Sequence, residues 1–135
     1  MANAPHFKLT TRNAMLDVIN GSLAGAAIFA IYAGGQPADC SAATTAANTC
    51  IANLAMTATA FTAAAAGVLT ANTITSDSSA VGGTASWFSL LVTISGARIA
   101  DGSVGTTGCD LNLNSVTITT GAAVAISAFT ITLAA

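Results

Sequence analysis

The chain has 135 residues, enough for one domain with a core of its own; 53% of them are hydrophobic and only 6% are charged, against about 25% in ordinary soluble domains. Three bases (Lys8, Arg12, Arg98) and five acids (Asp17, Asp39, Asp77, Asp101, Asp110) leave a net charge of −2. That balance excludes a basic footprint for nucleic acid and supplies little like-charge repulsion to keep copies of the protein dispersed.

In chain order, residues 1–9 read as an extended arm, interrupted by Pro5 and without an apolar period. The arm lacks a basic region followed by an apolar run, so no secretion signal is expected and the protein is expected to start in a cytoplasm. Thr10 or Thr11 is the expected N-cap of a helix over residues 12–20. Met15, Leu16, Ile19 and Leu23 form its apolar face, and Asn20-Gly21 forms its stop.

From residue 27 the period changes to two. Residues 27–32 read as a strand ending at the turn Gly34-Gly35-Gln36-Pro37. A loop follows through Asn48, then a short strand over 51–56. Residues 61–67 are ambiguous: their Ala run favours a helical turn, while Phe61 and the stretch 68–74 favour strand. Asp77-Ser78-Ser79 and Gly82-Gly83 mark turns. Residues 86–94 are the expected central strand, with Trp87 and Leu91 on one face and Phe88, Leu90, Val92 and Ile94 on or beside the other; a strand apolar on both faces belongs inside a sheet or between layers. Residues 98–104 continue the meander. Leu111, Leu113, Val116 and Ile118 flank a bend at Asn114-Ser115, and Thr119-Thr120-Gly121 makes the next turn. In the last strand Val124 and Ile126 give way to Phe129, Ile131 and Leu133, a change of phase at Ala128 that a bulge would absorb.

This pattern predicts a mainly β chain: an arm and one short helix over residues 1–24, then a β-sandwich or jelly-roll-like domain over 25–135. No membrane span is expected. Residues 23–33 are half the length of a bilayer crossing, and residues 51–71 owe their hydrophobicity mostly to Ala, which contributes little to insertion.

Chemistry-bearing residues are sparse. His6, the single histidine, lies in the arm without a scaffold to preorganise it for proton transfer. No Gly-x-Ser-x-Gly elbow is present, and no Gly-Lys-Ser/Thr phosphate loop. Asp101 and Asp110 flank a Gly-rich turn and are candidates to share a calcium ion with loop carbonyls, but neither belongs to an Asp-x-Asp pattern, and Asp is common in turns for its own hydrogen bonding. Cys40, Cys50 and Cys109 show no zinc spacing. They are expected as reduced thiols packed like small apolar residues, although oxidation of Cys40 and Cys50 would close the loop between them. Three Thr-rich segments lack the regular period of an ice- or sugar-binding ladder. No catalytic, cofactor-binding or metal-binding residue is assigned, and an enzyme is the least expected reading.

Two segments carry a resemblance. The first is Leu9-Thr10-Thr11-Arg12-Asn13-Ala14-Met15-Leu16-Asp17 with Asn20-Gly21, the strand to Tyr32-Ala33-Gly34, and Pro37-Ala38-Asp39-Cys40. The second is Asp110-Leu111-Asn112-Leu113-Asn114-Ser115 with Ala128-Phe129-Thr130-Ile131-Thr132. In that order they resemble a family of small bacteriophage and prophage virion structural proteins, over most of the chain; residues 42–83 depart from it in being richer in Ala and Thr and free of basic residues. The resemblance implies a capsid decoration (cement) protein: a sandwich or jelly-roll homo-oligomer, such as a trimer, held on the major capsid protein in the virion, with no nucleic-acid or membrane partner. A tail, baseplate or fibre component is the alternative, and a surface or carbohydrate-binding module a more distant one. On this reading the arm is expected to lie across a neighbouring subunit.

Overall fold

A computed structural model describes residues 5–45 and 47–135; Met1–Ala4, the first half of the expected arm, lie outside the described residues. The chain is mainly strand with one N-terminal helix. That helix, α1 (Leu9–Ser22), is longer at both ends than its sequence signals indicate. Lys8, not Thr10 or Thr11, is the N-cap, and its carbonyl accepts from Thr11 N and Arg12 N at 2.9 and 3.0 Å. The amino end is exposed, so water can satisfy the first N–H groups and no hydroxyl cap is required. At the other end the fully buried Leu23 anchors the last turn, carrying the helix past Gly21.

The apolar face expected of α1 is only partly the buried one. Leu16 and Leu23 are fully buried and Ile19 packs on the core, but Met15 is 43% exposed and Val18 68%. The inward face carries polar groups beside the leucines. Asn13, Asp17 and Asn20 stand one turn apart, and their side-chain oxygens accept from the backbone N–H groups of Gly67 (2.9 Å), Ala64 (2.8 Å) and Phe61 (3.2 Å). Each acceptor meets a donor three residues further back, so helix and partner segment run antiparallel. Arg12 Nη1 extends the row to Leu133 O at 2.8 Å. Buried backbone donors must find partners, and here the helix supplies them.

The main sheet has the order β2 (Cys50–Ala55), β1 (Ile28–Tyr32), β5 (Trp87–Leu91), β6 (Arg98–Gly105), β7 (Leu111–Asn112). All its pairings are antiparallel except β6 with β7, which are parallel through Val104 and Gly105 only. Every residue of β5 is buried, as its central position requires, and even Ser89 is enclosed, its Oγ donating to Ala100 O at 3.2 Å. The strand stops at Leu91. Ile94, expected at the core face, is 66% exposed in the turn that follows.

Two two-stranded ladders complete the fold: β3 (Val68–Thr70) with β9 (Thr130–Thr132), and β4 (Gly83–Thr84) with β8 (Thr117–Ile118). Residues 61–67 are neither helix nor strand. Ala65 and Val68 exchange backbone hydrogen bonds at 3.0 and 2.9 Å across Ala66 and Gly67, both at positive φ (54° and 77°), the pattern of a two-residue type I′ hairpin turn. A Cβ on Gly67 would meet Arg12 Nη1 at 2.9 Å and Leu133 O at 3.0 Å, so the close approach of α1 depends on glycine there.

Four of the five phenylalanines tie the layers together. Phe29 stacks on Phe88 (4.8 Å), and Phe129 stands edge-on to both (5.0 and 5.2 Å) with Phe61 at 6.4 Å. The change of phase near Ala128 is real: Val124, Ile126 and Phe129 are all buried, and a bend at Ser127 rather than a paired bulge absorbs the extra residue.

Candidate interaction surface

The residues with most chemical potential are occupied by the fold. His6 is exposed in the segment before α1. Asp110 Oδ2 accepts from Ser103 N and Oγ, both at 2.8 Å, and these bonds hold its carboxyl below the usual carboxylate range. Asp101 accepts from Gln36 Nε2 at 2.9 Å and pairs with Arg98 at 3.4 Å. Each carboxylate thus organises a loop, and among the described residues no three His, Cys, Asp or Glu side chains gather as a metal site would require.

Cys40, Cys50 and Cys109 are unbridged and half-buried. Burial is the main cause that raises the thiols of Cys40 and Cys50 above their ordinary values, which makes them poor nucleophiles. Trp87, the side chain on which an aromatic sugar platform would depend, is fully buried and stacked on Tyr32 at 4.3 Å. Arg98 lies over the Trp87 ring at 5.5 Å and donates to Asp39 O and Ala42 O, tying the loop after β1 down onto this face of the sheet. A cavity of about 540 Å³ beside this loop is lined by Tyr32, Cys40 and Arg98 among others; it holds no acid–base pair. Among the described residues no helix is long and apolar enough to cross a membrane.

What the fold leaves available is surface, of two kinds. One is a set of exposed apolar side chains at the amino end: Phe7 (46% exposed) and Leu9 (44%), with Met15 and Val18 on the outer side of α1. Periodicity had assigned Met15 inward. The signal that the outer face also carries apolar groups was the pair Met15 and Val18 one turn apart, framed by Thr11 and Ser22.

The other is a groove between the β6–β7 side of the main sheet and the C-terminal segment. It opens as a cavity of about 220 Å³ between Ala100–Asp101 and β9, with Phe88, Leu90 and Phe129 in its lining. It continues past Asp110 and Ala128 (about 280 Å³), then between residues 111–114 and 125–128 (about 310 Å³), and ends between residues 113–119 and 122–125 (about 160 Å³). Neighbouring cavities share lining residues, Asp110, Phe129 and Thr130 bordering both of the first two. Gly102 shapes its floor: a Cβ there would meet the Phe88 ring at 2.7 Å.

The opposite border of the sheet is closed. Along β2, Asn53 N donates to Asp77 Oδ2 (2.8 Å), Thr75 N to Ala55 O (2.8 Å) and Val81 N to Ile51 O (2.8 Å), so residues 75–81 occupy the edge. One border of the sheet is thus covered by the chain itself, while the β6–β7 side borders the groove. Comparisons with family models, curated proteins and solved structures give no match to this chain.

Proposed function

We propose that this chain is a structural protein of a bacteriophage particle, a head decoration (cement) subunit that self-associates, as a trimer in the simplest case, and clamps neighbouring copies of the major capsid protein. The observation that carries the reading is the exposure of the large apolar side chains Phe7, Leu9, Met15 and Val18 on a chain with only eight ionic side chains. A surface with so few charges to keep copies dispersed, and with large apolar groups on it, is read as one that is covered in use. The mainly β fold, read as a sandwich open along one side, supports it, as does the occupation of Asp101, Asp110 and Trp87 by structural tasks. Each contact with the lattice is expected to bury more than about 1,000 Å².

The test is the stoichiometry of purified particles, by quantitative mass spectrometry alongside micrographs. A head decoration role predicts hundreds of copies per particle. A handful of copies would move the protein to the tail or baseplate, and absence from particles would overturn the reading.

A further inference from the structure

The walls of the groove are two unpaired strand edges, and the ladders show which backbone groups face into it. In an antiparallel pair, successive residues alternate between bonding the neighbour and pointing away from it. In β9, Phe129 O accepts from Ala71 N and Leu133 N donates to Gly67 O, both at 2.9 Å, so Thr130 and Thr132 turn their N–H and C=O away from β3. In β6, Val104 N donates to Ser86 O at 2.9 Å, so Ser103 and Asp101 point away from β5; Ser103 N accordingly reaches Asp110. Beyond the short pairing with β7, neither edge has a strand partner among the described residues.

We propose that this groove receives the N-terminal arm of a second copy, through Pro5–Lys8, as an added strand between β6 and β9. The inference rests on the self-association in the reading above and names its acceptor site. Strand addition draws on main-chain groups already aimed into a groove, with alternate side chains seated in it. Pro5–Lys8 belong to no helix or strand and are exposed. Phe7 is the one phenylalanine outside the aromatic cluster, and Phe88 and Phe129 of that cluster line the groove, so an arriving Phe7 completes an aromatic group already assembled. Charge agrees as well: the arm brings Lys8, and Asp110 stands on the groove wall. Pro5–Lys8, extended, reach about 13 Å, a length that the facing edges of β9 (Thr130–Thr132) and β6 (Arg98–Gly105) can line. Pro5 forgoes a single ladder bond and is tolerated at the first residue of the added strand.

The test mixes full-length protein carrying heavy and light nitrogen, couples amines to carboxylates with a zero-length carbodiimide, and reads the joined peptides by mass spectrometry. Heavy–light peptides linking Lys8 to Asp110 are expected. Links confined to one isotopic copy, links from Lys8 only to other carboxylates, or no link would each overturn the proposal. Two variants read the same contact in sedimentation: Thr130→Pro deletes an N–H aimed into the groove while sparing the β3–β9 bonds, and Phe7→Ser alters the arm outside the fold. Each is expected to weaken self-association at least ten-fold without moving the unfolding midpoint of the monomer; unchanged association in Phe7→Ser overturns the proposal whatever becomes of Thr130→Pro. Incorporation into particles that neither variant disturbs sinks the groove and leaves the virion reading standing, whereas intact Lys8–Asp110 coupling in a protein absent from particles does the reverse.

Discussion

Ala66 holds a left-handed backbone (φ 54°) without being glycine, a conformation that disfavours a Cβ. Its partner in the type I′ turn is Gly67, and Asn-Gly is the pair such turns prefer. Ala66→Asn is therefore expected to raise stability by about 0.5–1 kcal/mol, read as a higher urea midpoint at unchanged slope. Asp77 acts in the opposite sense. Its carboxylate accepts from Asn53 N, Ser79 N and Ser79 Oγ, each at 2.8 Å, and Asp77→Ala should cost about 1–2 kcal/mol by leaving the edge of β2 uncapped. Backbone donation, from Asn53 to Asp77 and from Ser103 to Asp110, is the leading cause that keeps both carboxyls below their ordinary values. Between the folded and unfolded values the unfolded chain binds more protons, so the stabilisation is complete above about pH 4 and is lost as pH falls through the folded values. A thermal midpoint that stays level down to pH 3 would contradict this. Asp77 as a turn residue was legible in its Asp-Ser-Ser sequence; its reach across 24 residues to Asn53 was not, because nothing local encodes a long-range cap.

At the scale of elements, the helix was legible in position but not in orientation. Counting Met15, Leu16, Ile19 and Leu23 as one stripe follows the usual rule that apolar groups point inward. The inward face instead runs through Arg12, Asn13, Leu16, Asn20 and Leu23, because the segment it covers, residues 61–67, offers backbone donors as well as the apolar surface of Phe61. That demand is a property of the partner, invisible in the periodicity of the helix. Replacing Asp17 by Ala is expected to cost about 0.5–1 kcal/mol, the net worth of a solvent-exposed hydrogen bond to Ala64 N–H. The double change Met15→Ser, Val18→Ser should leave the folded monomer within about 0.5 kcal/mol of its parent while weakening self-association. Unfolding curves and sedimentation together separate these outcomes. The strands fared differently: β1 and β5 were legible from their β-branched and aromatic runs, and β2 and β6 from their place between loop and turn signals, whereas β4, β7 and β8, two residues each, leave too short a pattern to read.

For the whole molecule, the decisive packing is the junction at Phe129, where the C-terminal segment meets Phe29, Phe61 and Phe88. Phe129→Ala should cost about 3–5 kcal/mol, a large share of the roughly 5–15 kcal/mol that holds a domain of this kind together, and chemical unfolding would measure it. The mainly β character and the poverty of charge were plain in the sequence. The groove was not, since an open strand edge is defined by which neighbour is missing, and pairing partners as distant as β3 and β9 are set by the topology.

Trp87 carries a practical consequence. It is the chain's single tryptophan, enclosed between Tyr32 and Arg98, with its Nε1 buried without a hydrogen-bond partner. Its side chain lies on the opposite face of β5 from Phe88, and Phe88 borders the groove. Its fluorescence therefore registers lifting of the Arg98-anchored loop and loss of the native state, yet should stay quiet while copies join through the other face. One optical signal, free of any attached dye, can thus tell assembly apart from denaturation in the same cuvette.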